Sequence, residues 1–245
     1  MVKFELNGKI LSLNTTKCFN PNLTTQLLLR AVIELTEGFG KNFKSVLELG
    51  CGAGAISIYL AKYGYFKNVS HLSLSDISQE AVSIAQKNFI KNVGSQYHIK
   101  PKFKSGKGLD PWTGNTFDLI IDDISAVSDE VARLSDWFDF APCEAGIDGM
   151  KNTINIIDSG KDFLKTGGTL VFPVLSLSNV KMLDEYLSAA GYKITTLQKQ
   201  KWPLPFSMIE KYKSRLLELR NNGYIHFDEK FGQFIAETSC YALKL

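Results

Sequence analysis

Apolar residues in this chain come in short runs broken by glycine, asparagine and proline, and their period switches between two and about 3.6. Period-two or continuous apolar runs predict strands at 2–6 and 10–13, turned at Asn7-Gly8, a strong hairpin dipeptide. Further strands are predicted at 46–49, 69–75, 99–103, 117–122, 164–171, 192–197 and 234–245. Helical spacing is predicted at 26–37, where a threonine after Pro21 can cap and Gly38 and Gly40 terminate. It recurs at 55–63, and again from a Ser78 cap to Phe89. Strands alternating with helices predict an α/β protein built on a largely parallel sheet.

The stretch Val46-Leu-Glu-Leu-Gly-Cys-Gly-Ala-Gly54 runs from strand through a glycine turn into a helix. Alternate glycines allow a sharp bend and close approach of backbone to a ligand. A dinucleotide fingerprint places its third glycine five positions after the first, whereas Gly50 and Gly54 are four apart. Glu48 stands two residues before Gly50, where a diphosphate would be repelled and a cationic amino group welcomed. Both features favour S-adenosylmethionine over a nicotinamide cofactor. Asp76, at the end of the next strand, suits the ribose hydroxyls.

Glu48-Leu-Gly-Cys-Gly-Ala-Gly54 resembles the E/D-x-G-x-G-x-G signature of class I S-adenosylmethionine-dependent methyltransferases. Phe117-Asp-Leu-Ile-Ile-Asp-Asp123 is similar to the F-D-L-I-V-x-N that leads into N-P-P-Y in the release-factor glutamine methyltransferase family. Ala141-Pro-Cys-Glu-Ala-Gly-Ile-Asp-Gly-Met150 resembles that family's E-P-x-x-A-L-x-G-G-x-D-G-L, and Leu164-Lys-Thr-Gly-Gly-Thr-Leu-Val171 its L-x-x-G-G-x-L. Together these cover roughly residues 10–197. The resemblance implies a Rossmann-like fold, with a seven-stranded, mostly parallel sheet, an antiparallel last strand and helices on both faces. It implies cofactor contacts from Glu48, Gly50, Cys51, Gly52, Gly54, Asp76, Ile77 and Asp123, and from Phe19 and Thr25 in a segment that closes over the cofactor. Lys107 stands where an acid facing the adenine amino group is common in the resembled fold.

Ligands in open parallel sheets sit beyond the carboxyl ends of the strands, so Asp122, Asp123, Ile124 and Ser125 are expected around the acceptor. In the resembled family an asparagine and a proline carbonyl hold the N–H groups of the target amide. Here Asp123 replaces the asparagine, and Ile124-Ser125-Ala126 replaces Pro-Pro-Tyr. A carboxylate accepts hydrogen bonds from an amine, a hydroxyl or an amide. Asp123 is thus the expected orienting and proton-accepting residue, with Asp122 a second candidate, and the acceptor stays open between protein glutamine and other nitrogen or oxygen nucleophiles. The same altered loop also suits a fold that binds S-adenosylmethionine or a partner without transferring anything.

At 245 residues, 44% hydrophobic and 22% charged, the chain reads as one α/β domain with decorations. The expected parts are a hairpin and helix over 1–40, a cofactor-binding core over 41–197, and a helical insertion plus final strand over 198–245. The family's helical N-terminal domain has no counterpart before residue 46. A net charge of +3 gives no strong nucleic-acid signal, and Lys100, Lys102, Lys104 and Lys107 read as a solvated edge. Cys18, Cys51, Cys143 and Cys240 form no C-x-x-C pair, and His71, His98 and His226 stand alone, so no metal site is expected. No run approaches the ~20 apolar residues of a membrane span, and a cytoplasmic protein with reduced thiols is expected. In the insertion, Trp202 and Phe206 are expected to line a lid over the acceptor pocket, followed by a helix over 207–221; a packed hairpin or dimer contact is the other reading.

Overall fold

The computed structural model describes residues 1–94, 97–138 and 143–244. The first two strands, β1 (Val2–Leu6) and β2 (Lys9–Leu13), form a separate antiparallel hairpin turned at Asn7 and Gly8. Helix α1 (Leu23–Ile33) follows and runs into a π-helical turn at Glu34–Gly38. The core then alternates β3 (Ser45–Leu49), α2 (Ala55–Lys62), β4 (His71–Asp76), α3 (Gln79–Val93) and β5 (Lys102–Ser105). A 3-10 turn at Asp110–Trp112 leads to β6 (Phe117–Asp122), α4 (Asp129–Arg133), α5 (Lys151–Phe163) and β7 (Leu164–Leu175). The chain ends with α6 (Val180–Ala189), β8 (Ile194–Pro203), α7 (Phe206–Asn221), β9 (Asp228–Lys230) and β10 (Gln233–Lys244).

The main sheet runs β5-β4-β3-β6-β7-β10-β8, with β9 paired to β10. Strands β5 to β7 are parallel, and β10 lies antiparallel to β7, β8 and β9. Successive side chains of a strand point to opposite faces, so each central strand feeds two cores. Val46, Leu119 and Ile121 join the cluster under α1, α2 and α3, while Leu47, Leu49 and Ile120 join the one under α5 and α6. Burial on both faces explains why β3 is apolar at three of its five positions and buried throughout. A third cluster packs α7 against Val127, Val131, Leu175 and Leu177 through Met208, Ile209, Leu216 and Leu219.

The α/β class, the mostly parallel sheet and the antiparallel β10 agree with the sequence reading, and local boundaries differ. An eighth strand, β9, joins the sheet. Pro101 has no N–H to give a ladder, so β5 begins at Lys102, and Ile99 is buried in the core ahead of it. Strand β8 continues to Pro203 because β10 outruns β7 and pairs with it, from Ser239↔Lys199 to Ile235↔Pro203. Residues 198–203, expected in an insertion, are therefore strand. Asn22, not a threonine, caps α1, its side chain accepting from the N–H groups of Thr24 (2.9 Å) and Thr25 (3.2 Å). Helices α4, α5 and α6 had no prediction. Residues 141 and 142 of the Ala141 to Met150 motif, and Leu245 of the last strand, lie outside the described residues.

Gly149, in the turn before α5, and Gly191, after α6, share a φ of +72°, but their surroundings differ. A Cβ on Gly149 would stand 2.6 Å from the Ser128 nitrogen and the Ser178 Cβ, whereas nothing lies within 4 Å of one on Gly191. Gly191→Ala should cost about 1–2 kcal/mol for the left-handed backbone alone. Gly149→Ala should cost at least about 3 kcal/mol, strain plus overpacking, read as the difference in urea-unfolding free energy.

Candidate functional site

The carboxyl ends of β3, β4 and β6 open into a cleft of about 500 Å³, in the size range of small-molecule sites. Its floor is the β3–α2 turn, where the three glycines do different work. Gly50 (φ +66°) lets two turns touch, since a Cβ there would stand 2.9 Å from the Asp123 carbonyl oxygen. Gly52 (φ +49°) lines the cleft and donates its N–H to Asp76 Oδ2 at 2.9 Å. Gly54 (φ +80°) is outside the cleft lining; a Cβ on it would meet Ile58 at 2.9 Å and Ala85 at 3.3 Å, so it serves the α2–α3 contact.

Three carboxylates converge on this turn. Glu48 is buried and accepts the Ser57 N–H at 3.0 Å. Asp76 accepts from the N–H groups of Gly52 and Ser78, both at 2.9 Å. Asp123 is half-buried at the end of β6, and its Oδ2 accepts the Thr25 hydroxyl at 3.1 Å. Burial raises the pKa of Glu48 to about 7 against the Ser57 hydrogen bonds, with the charge of Asp76 adding to the rise. It also raises Asp76 from its ordinary value, and Asp123 well above its own, the latter helped by Glu48. Among the described residues none of the three forms an ion pair with Lys, Arg or His.

Cys51, Ile77, Ile124 and Ser125 line the cleft. Phe19 does too, its ring 5.8 Å from that of Phe138 on the opposite bank. The strap carrying Phe19 is held at one end by Asn14, which exchanges hydrogen bonds with Asn88 at 2.9 Å, and at the other by the Asn22 cap. Thr25 faces the cleft with its hydroxyl turned to Asp123. Lys107 reaches the rim, as does Asp110, an acid not anticipated there.

Besides Gly54, three expected residues are elsewhere. Asp122 shares strand parity with Ile120, points away from the cleft and accepts the Ile124 N–H at 3.1 Å; burial raises its pKa to about 7. Trp202 is committed to β8, its indole N–H on Thr238 Oγ1 at 2.9 Å and its ring 6.0 Å from Trp137. Phe206 is 71% exposed at the start of α7, away from the cleft lining. Aromatic lining comes instead from Phe19, Phe138 and Phe163.

One wall was missed entirely. Lys151, Asn152, Asn155, Ile156, Ser159 and Phe163 of α5 face the cleft at helical spacing, and Asn152 donates to the Ser125 carbonyl at 3.3 Å.

Fold and site together define a Rossmann-like domain whose pocket suits a cationic nucleoside ligand. The chain belongs to the methyltransferase domain family, which matches residues 22–239. It is 30% identical over 161 residues to release factor glutamine methyltransferase of Clostridium acetobutylicum, covering 63% of this chain and 54% of that protein. It thus spans about half the length of that relative. It is 28% identical over 207 residues to a Methanocaldococcus jannaschii protein named for N5-glutamine methyltransfer, covering 84% and 95%. Two solved structures share the fold at 14% identity and TM-score 0.52. Precorrin 8W decarboxylase from Methanobacterium thermoautotrophicum aligns over 96% of this chain and 97% of its own. The M. jannaschii tRNA m1G37 methyltransferase aligns over 99% and 56%.

S-adenosylmethionine fits what the chain provides. Glu48 and Asp76, desolvated and without a cation, suit its positively charged and ribose portions, and Gly52 leaves room beside Asp76 for close approach. Glu48 holds a proton in the folded chain that it would release on unfolding, so ligand-free stability should fall as pH rises from about 4.5 to about 7. For Glu48 alone the loss is on the order of 3 kcal/mol. Glu48→Gln should flatten that slope in urea unfolding between pH 5 and pH 8. Conversely, S-adenosylmethionine should raise the melting temperature of the wild type more at pH 8 than at pH 5.5, because the ionised carboxylates hold its cation.

Proposed function

We propose that this protein transfers a methyl group from S-adenosylmethionine to a nitrogen or oxygen of an acceptor placed at Asp123. The observation that carries this reading is the position of Asp123, in backbone contact with the Gly50 turn and lining the cleft at the carboxyl end of β6. Bound S-adenosylmethionine supplies an electrophilic methyl group, so the chain's task is mainly alignment and exclusion of water. Glu48 and Asp76 hold the cationic and ribose portions. Asp123 accepts the acceptor's N–H or O–H at a carboxylate oxygen and takes its proton, while Phe19 and Phe138 cover the cleft.

The acceptor is a small molecule or a protein. A protein glutamine amide is the second reading, favoured by the names of the curated relatives. Against it stands the loop itself, in which Asp123-Ile124-Ser125 supplies neither the amide side chain nor the prolines of the resembled motif. Among the described residues no helix is long and apolar enough to cross a membrane. The cytoplasmic location we propose rests on the sequence reading, with its widely spaced cysteines.

Transfer of labelled methyl into a cytosolic extract, separated into protein, nucleic acid and small molecules, tests the activity; no label above a no-enzyme control refutes it. Asp123→Ala should lower kcat at least about 100-fold while leaving S-adenosylmethionine affinity within about threefold. Asp123→Asn separates the acceptors: turnover should hold or rise if an amide is methylated, and fall with the alanine variant if an amine or hydroxyl is.

A further inference from the structure

Asp123 has little backbone freedom. Its N–H donates to the Leu49 carbonyl at 3.0 Å, and its own carbonyl sits against Gly50, where even a methyl group would come within 2.9 Å. What stays adjustable is the side chain, and one contact governs it. Thr25 is 4% exposed, lies in the first turn of α1, and places its hydroxyl 3.1 Å from Oδ2. Its backbone N–H is already taken by the Asn22 cap, so the hydroxyl is the group Thr25 has left for Asp123. Groups facing Asp123 from the other elements oppose its charge: Glu48 on β3, Asp76 on β4 and Asp122 on β6 are carboxylates, and Cys240 on β10 is a thiol whose own pKa Asp123 helps to raise. The Thr25 hydroxyl is the hydrogen bond that favours the ionised form of this side chain.

We propose that Thr25 is a positioning residue for methyl transfer: by occupying Oδ2 of Asp123 it fixes the carboxylate rotamer and leaves Oδ1 to address the acceptor. Thr25 thereby differs from the cofactor contact expected of it by resemblance, and it makes the docking of α1 a condition for a competent Asp123. The catalytic part of this inference rests on the methyltransferase reading; the contact itself does not.

The test compares Thr25→Val, which keeps shape and removes the donor, with Thr25→Ser, which keeps the donor. Carbon-13 NMR titration of the Asp123 carboxyl, in protein without acceptor, should show its midpoint moved to higher pH in Thr25→Val and restored in Thr25→Ser. With an acceptor, Thr25→Val should lose about tenfold in kcat, with the acidic limb of its pH–rate profile displaced upward and the KM for S-adenosylmethionine within about twofold; Thr25→Ser should recover most of kcat. An unchanged Asp123 titration in Thr25→Val, or equal losses in both variants, overturns the proposal. A displaced titration in a protein that methylates nothing upholds the contact and refutes the transferase reading instead.

Discussion

The parallel pairing of β3 with β6 is the constraint on which the site depends. Its register sets Leu49 beside Asp122, which brings the glycine turn and the start of the acceptor loop into backbone contact. Both strands are buried on two faces, so neither end can move away without exposing a core. The arrangement forces Glu48, Asp76 and Asp123 together in a partly dry space where their charges repel. Local hydrogen bonds from Ser57, Gly52, Ser78 and Thr25 offset part of that repulsion. The remainder favours a cation.

The core of the site was legible because it is local. Glycine spacing, an acid two residues before the turn and acids at the ends of apolar strands each depend on a few consecutive residues. Even so, Gly54 shows that a motif position can serve packing while its neighbours face the cleft. Which of two adjacent aspartates faces the cleft depends on strand parity, and the alternation of Leu119, Ile120 and Ile121 carries that information once both flanking cores are known. Trp202 was not legible: its fate depends on the register with Ala236 across β10, a nonlocal pairing that hydrophobicity does not encode. The α5 wall was hidden for a different reason. Asn152, Asn155 and Ser159 form a polar stripe, and polar residues facing a cleft look the same in sequence as polar residues facing solvent.

The segment after β8 also has a role that composition alone obscured. Helix α7 stands behind the 127–138 bank instead of over the cleft, joined to it through the third hydrophobic cluster and through Arg215, which pairs with Glu130 at 2.6 Å. Phe138 and Val127, both lining the cleft, therefore lean on α7. The helix is a buttress to that wall of the cleft.

The strap that carries Phe19 has a topological consequence. Because it is tethered at Asn14 to α3 and at Asn22 to its own helix, it is a short closed bridge across the cleft, without a free end. A bridge of this kind can bow outward but cannot swing aside. Widening the cleft at this bank then takes a few residues rising and Phe19 parting from Phe138, a motion on the nanosecond-to-microsecond scale of loops, while the sheet and its two cores remain as they are.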